Sequence, residues 1–126
     1  MMDLILWRHA EALDESEAME DLQRPLTSRG EKQAARMAAW LDRQLPDGAR
    51  VICSPARRTE QTALALGRKY KLRAELLPGC TPAELLELAQ WPKGKGTVLV
   101  VGHQPVLGQT IAELVGFSAA DCSVRK

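Results

Sequence analysis

The chain has 126 residues, 45% apolar and 26% charged, with a formal net charge of +1. That is enough for one domain with a single core, and the near-neutral balance excludes a global field for nucleic acid or an anionic membrane surface. Its three cysteines, an odd number without C-x-x-C spacing, supply no disulfide framework and fit a reducing cytoplasm.

Arg8, His9 and Glu11 interrupt the N-terminal apolar stretch too early for a signal peptide, and no run approaches the ~18 apolar residues of a membrane helix. We expect one cytoplasmic, monomeric domain over residues 1–126. Leu4-Ile5-Leu6-Trp7 is a short apolar run with polar neighbours, the pattern of a strand buried on both faces, and it ends on Arg8-His9. Residues 11–23 are acidic, poor in large apolar side chains, and read as a loop, with room for a helical turn, over the mouth of a site. Ser28 and Glu31 have capping-box spacing. Ala34, Ala35, Met37, Ala38, Trp40, Leu41 and Leu45 then recur at helical intervals until Pro46-Asp47-Gly48 closes the helix.

The second strand is read at Arg50–Cys53. Ser54-Pro55 has the form of an N-cap followed by proline at the first helical position, with a helix through Ala63, Leu64, Leu66 and Gly67 to about Tyr70. Residues 73–77 read as a third strand. Thr81-Pro82-Ala83-Glu84 repeats the cap, opening a helix with Leu85, Leu86, Leu88 and Ala89 inward that ends near Trp91. After the turn Pro92-Lys93-Gly94-Lys95-Gly96, residues 97–101 form a strand. Pro105 starts a last helix with Val106, Leu107, Ile111, Leu114 and Val115 inward and Gly116 as its C-terminal cap. Trp40 and Trp91 are expected in the core, Trp7 on the wall of the site, and Cys53 and Cys80 as buried small apolar residues. Cys122 is left open, and residues 119–126 read as the start of a further strand. Strands alternating with helices give an α/β fold with a largely parallel sheet.

The only two histidines, His9 and His103, each follow a strand-like run directly. Parallel neighbours would bring both to the carboxyl edge of the sheet, with Ser54 and the arginines behind it. A guanidinium matches a phosphate bidentately, and helix N-termini offer unpaired N–H groups to an anion, so that edge suits a phosphoryl group. One neutral imidazole can attack phosphorus and hold the group covalently, while a second, when protonated, stabilises the equatorial oxygens. The scheme requires no metal and no cofactor, and two histidines among scattered carboxylates lack zinc-ligand spacing. Arg24 fits a substrate contact and a structural ion pair equally. Ser54 fits a helix cap better than a nucleophile, because the G-x-S-x-G elbow is absent.

Four ordered segments carry a resemblance. Trp7-Arg8-His9, Arg24-Pro25-Leu26-Thr27 with Gly30, Ser54-Pro55 with Arg58 and Glu60-Gln61-Thr62, and Val98 to His103 with Pro105 together resemble the histidine phosphatase superfamily. That superfamily includes the cofactor-dependent phosphoglycerate mutases; within it the chain is most similar to the SixA-like phosphohistidine phosphatases of bacteria. The resemblance implies a phosphoglycerate mutase-like three-layer sandwich and, as catalytic residues, His9 as the phosphorylated nucleophile, Arg8 and Arg58 as the phosphate clamp, and His103 as the second histidine. Arg57 is the rival of Arg58. Helix neighbours point about 100° apart, and the family spacing Ser-Pro-x-x-Arg selects Arg58.

Three departures from the family pattern stand out: Ala10 replaces its glycine, Thr59 its frequent alanine, and this sequence ends at Lys126 before the family's further strands, by truncation or by omission from the chain as given, so that an uncovered sheet edge is expected. The glutamate that serves mutases as general acid sits on an insertion this chain lacks, and Glu11 is the candidate in its place. The implied activity is metal-independent hydrolysis of phosphohistidine on a protein such as a histidine phosphotransfer domain. The alternatives are a phosphatase for small phosphoester substrates and a non-catalytic phosphate-binding module, with neither nucleic acid nor membrane as partner.

Overall fold

Four strands, β1 (Met2–Arg8), β2 (Arg50–Cys53), β3 (Lys71–Leu72) and β4 (Gly96–Gly102), pair in parallel in the order β1-β4-β2-β3. The computed structural model describes residues 2–14 and 19–115. Parallel neighbours need crossover connections, and helices α1 (Ser28–Gln44), α2 (Arg57–Leu64) and α3 (Pro82–Ala89) supply them, with α4 (Val106–Val115) following β4. Val98 to Val101 of the central strand β4 are fully buried. Their alternation divides the interior into two cores. Leu99 and Val101 join Trp7, Val51 and Cys53 beneath Ala38 and Leu41 of α1 and Ala63 of α2. Val98 and Val100 join Met2 and Ile52 beneath Leu85 and Ala89 of α3 and Val106 and Leu107 of α4. Period-2 burial on both faces makes a three-layer sandwich, which is why β4 is apolar without interruption. Each Leu or Val so buried contributes about 1.5–3 kcal/mol.

Boundaries differ from the sequence expectations for local reasons. Thr27, not Ser28, caps α1: it is extended, and its hydroxyl accepts from the Gly30 N–H. The buried stripe of α1 is Gly30, Ala34, Ala38, Leu41 and then Leu45. These mostly small residues let the helix lie close to the sheet, and they turn Ala35, Met37 and Trp40 outward. Trp40, expected in the core, is 51% exposed.

Ser54 does not cap α2. Ala56 stands at the N-cap with no side-chain hydrogen bond, and the helix ends at Leu64 rather than near Tyr70. The N–H groups of Leu66 and Gly67 bond three residues back, and Gly67 takes a left-handed φ of 75°, the winding-down of a helix end that leaves Leu64 exposed. The third strand is Lys71–Leu72. The chain then coils into a 3-10 turn, Ala74–Leu76, that buries Leu76 in the second core.

Thr81 forms the expected capping box with Glu84 at the start of α3. Trp91 lies past that helix and is half-buried against the second core. Leu114, expected inward on α4, is exposed. Gly116, Cys122 and the strand read at 119–126 lie outside the described residues. No helix among the described residues is long and apolar enough to cross a membrane.

Candidate active site

Strand register places the two histidines side by side. Arg8 pairs with Gly102 across β1 and β4, so His9 and His103 are the next residues on adjacent parallel strands. The His9 N–H donates to the Gly102 carbonyl at 3.1 Å and holds that alignment one residue past the strand. Their ring centroids are 5.4 Å apart, close to the spacing of neighbouring strands. On the other side of β4, Cys53 pairs with Val101 and the Ser54 N–H donates to the Val101 carbonyl at 3.1 Å, which brings Ser54 beside His103.

Each ring is fixed by one hydrogen bond. His9 Nδ1 lies 2.7 Å from the Ala10 carbonyl oxygen. A carbonyl only accepts, so Nδ1 carries the proton and Nε2 of the neutral ring keeps its lone pair. Nε2 of His103, 2% exposed, lies 2.8 Å from Ser54 Oγ. Ser54 Oγ also accepts from the Ala56 N–H at 3.4 Å; in the tautomer where the hydroxyl donates to His103 Nε2, the ring proton sits on Nδ1. Burial pushes His9 down to about 4, opposed by the Ala10 hydrogen bond and reinforced by Arg58, Arg8 and Arg24. Burial, then Arg58 and His9, hold His103 at about 3. Burial and the neighbouring guanidinium groups thus hold both rings neutral at pH 7.

His9, His103, Arg8, Arg58 and Arg24 line one cavity of about 310 Å³. Arg58 is 4% exposed, whereas Arg57 is exposed and lines a separate surface hollow with Leu22 and Leu64. Arg58 donates from Nη1 to the Asp21 carbonyl at 2.7 Å and from Nη2 to Asp21 Oδ2 at 3.1 Å. Arg24 donates from Nε and Nη2 to Asp21 Oδ1 at 2.9 and 2.8 Å, and from Nη1 to the Leu13 carbonyl. Arg8 Nε, Arg58 Nε and His103 Nδ1 are buried polar atoms without a hydrogen-bond partner among the described residues. A buried donor left unmade costs about 1–3 kcal/mol, so three around one cavity mark a place built for an acceptor-rich group. Among the described residues no three His, Cys, Asp or Glu side chains cluster as a metal site.

Glu11 lines the same cavity, its carboxylate accepting from the Thr27 hydroxyl at 2.9 Å. Gly30 has to be glycine here, since a Cβ on it would fall 1.9 Å from the Glu11 carbonyl oxygen. The Ala10 N–H donates to Thr62 Oγ1 at 3.1 Å and the Leu26 N–H to Gln61 Oε1 at 2.7 Å, so the polar run on α2 ties both walls of the cavity to that helix. Thr59 is buried and donates to the Ser54 and Ala56 carbonyls at 2.8 Å. Trp7 is buried in the first core and borders an adjacent apolar groove with Trp40 that neither histidine lines. Cys53 is buried and its thiol pushed up to about 12 by burial; Cys80 is half-buried and also raised.

Sequence reasoning missed Asp21 and the tie through Thr62. Asp21 lay in a stretch read as an acidic loop with a helical turn, without a role of its own, and its one signal was its place three residues before Arg24, helical ion-pair spacing.

Fold and cavity together define an open parallel α/β domain with an arginine-and-histidine anion cavity at the carboxyl edge of its sheet. The sequence model of the histidine phosphatase superfamily (branch 1) matches residues 4–81. The chain is 36% identical over 121 residues to the phosphohistidine phosphatase SixA of Escherichia coli strain K12, covering 90% of this chain and 74% of that one. It belongs to the histidine phosphatase superfamily. A solved structure from Nakamurella multipartitia, a candidate phosphohistidine phosphatase SixA, shares 42% identity with a TM-score of 0.76, covering 89% of this chain. This chain spans only 64% of that protein's length. The protein histidine phosphatase SixA complexed with tungstate shares 31% identity and a TM-score of 0.76, covering 88% of this chain and 75% of that one. The fold is the phosphoglycerate mutase-like arrangement of these structures.

Proposed function

We propose that the protein is a metal-independent phosphatase that hydrolyses phosphohistidine on proteins through phosphorylated His9. The observation that carries this reading is the set of three unpartnered buried donors, on Arg8, Arg58 and His103, around the cavity that also holds His9. An oxyanion supplies the acceptors these donors lack, and a SixA relative is known in complex with tungstate, another tetrahedral oxyanion.

The Nε2 lone pair of His9 attacks phosphorus in line as the bond from phosphorus to the substrate's imidazole nitrogen breaks. Arg8, Arg58 and the Nδ1–H of His103 hold the equatorial oxygens, where their donors are worth most as charge gathers in the transition state. The substrate's imidazole takes a proton from solvent on its second nitrogen before the P–N bond breaks and departs neutral, so the first step needs no acid from the protein. Water then attacks phospho-His9, the P–N bond breaks, and inorganic phosphate leaves with His9 neutral again. Glu11, on the cavity wall, takes the proton from that water in this scheme.

Incubation with a phosphorylated histidine phosphotransfer domain tests the reading through phosphate release and an alkali-stable label on His9. No release, alongside brisk turnover of a small phosphomonoester, would reject the phosphoprotein substrate. Phosphate binding without labelling of His9 would make the protein a binding module.

A further inference from the structure

We propose that Asp21 is a positioning residue of this cavity: its carboxylate holds Arg24 and Arg58 together as one clamp and aims their remaining donors at the phosphoryl group. This rests on the reading of the cavity as a phosphoryl site.

Oδ1 takes Nε and Nη2 of Arg24, at 2.9 and 2.8 Å, while Oδ2 takes Nη2 of Arg58 at 3.1 Å. Arg58 gives a further bond, at 2.7 Å, to the backbone carbonyl of the same residue. Asp21 sits on a 3-10 turn, Asp21–Gln23, that precedes Arg24, and Arg58 sits on α2; the carboxylate thus joins two separately folded walls. Each guanidinium has five N–H donors in a fixed plane, so fixing some of them fixes the direction of the rest. In Arg58 the two terminal nitrogens are tied to Asp21, and Nε is the buried nitrogen left without a partner. Partial burial opposes ionisation of Asp21, but the hydrogen bond from Arg24 and the nearness of Arg58 outweigh it and keep the carboxyl below its usual range. The bridge is therefore charged throughout the working range of a cytoplasmic protein.

A carboxylate beside an anion site would be expected to repel phosphate, and that separates the two roles it can play. The test uses the full chain as wild type, Asp21→Asn, Asp21→Glu and Arg57→Ala, with inorganic orthophosphate titrated calorimetrically at neutral pH. Turnover of the phosphorylated phosphotransfer domain is measured in parallel. Asn keeps the shape and removes the charge; Glu keeps the charge and moves it by a methylene. With a positioning role both variants bind phosphate more weakly, the Kd rising about tenfold in each, and kcat falls more than KM rises. Arg57→Ala leaves both measurements at wild-type values.

If Asp21 only cancels charge, Asp21→Asn binds phosphate more tightly and Asp21→Glu matches wild type; either result overturns the proposal. Should Asp21→Asn fail to fold, Asp21→Glu decides alone. Weakened phosphate binding in both variants, with no phosphate released from the phosphoprotein by wild type, keeps the positioning role and rejects the substrate. A wild type that binds no orthophosphate overturns the positioning role itself.

Discussion

Lowering the pH from 7.5 to 5 should destabilise this protein through its two histidines before its carboxylates matter. His9 and His103 titrate at about 4 and about 3 in the folded chain, against 6.5 unfolded. Because the folded values lie below the unfolded one, the unfolded chain binds more protons below about pH 6.5, and stability is lost as the pH falls toward 4 and 3. At pH 5 an unfolded ring is almost fully protonated and a folded one almost neutral. The gap of roughly 1.5 pH units, at 1.36 kcal/mol each, gives about 2 kcal/mol per histidine and about 4 for the pair. Asp21 and Glu75 have lowered values and add their own losses only at more acid pH. With a urea m-value of about 2 kcal/mol/M, the unfolding midpoint should fall by about 2 M between pH 7.5 and 5. Tryptophan fluorescence in phosphate-free buffer reads that midpoint, and His9→Asn or His103→Asn should each remove about half of the pH dependence. A midpoint that stays constant over this range, or single variants as pH-dependent as wild type, would refute the neutral buried pair.

Arg58→Ala should lower kcat/KM at least ~100-fold, because it removes a cavity donor and leaves Asp21 half-paired, whereas Arg57→Ala should stay within twofold; equal losses would overturn the choice between them. His9→Ala should abolish both turnover and the phosphoenzyme, seen as loss of alkali-stable label. Gly30→Ala should cost more than about 3 kcal/mol in urea unfolding, since its Cβ meets the Glu11 carbonyl at 1.9 Å and only backbone movement relieves it. Ser54→Ala should destabilise by about 1–3 kcal/mol by leaving His103 Nε2 unpaired in a fully buried place, and it frees the ring proton to leave Nδ1. Weaker orthophosphate binding in that variant would report the changed tautomer.

The architecture was legible because its main signal is not local. Val98 to Val101 form an unbroken apolar run that suits a strand covered on both faces, and the runs at Leu4 and Val51 repeat it between turn signals. Helix faces were legible only to within a turn. Met37 and Trp40 share the helical spacing of the buried stripe, yet Gly30, Ala34 and Ala38 won the inward face because small residues let α1 approach the sheet. Ser54-Pro55 reads as a cap by local chemistry, and tertiary context overrode it: the serine hydroxyl is spent on His103 instead. The coil at Ala74–Leu76 arises likewise, from the burial available to Leu76.

For the cavity, what could be seen in the sequence was whatever the sheet itself delivers. A residue that follows a parallel strand is carried to the carboxyl edge by the ladder, so His9 and His103 could be placed together from two strand endings alone. Side chains that reach the cavity from a loop have no such rule. Asp21 arrives through a 3-10 turn whose position depends on its own bonds to Arg24 and Arg58, and residues 35 or more apart hold the walls together: Leu26 with Gln61, Ala10 with Thr62. Those bonds are consequences of the fold and exist only once α2 is docked. On the proposed reading, the strand-borne imidazoles set where a phosphoryl group sits, and the loop-borne carboxylate sets how firmly the arginines around it are aimed. Substitutions at His9 should remove the reaction, while substitutions at Asp21 should leave it running on a loosened anion site.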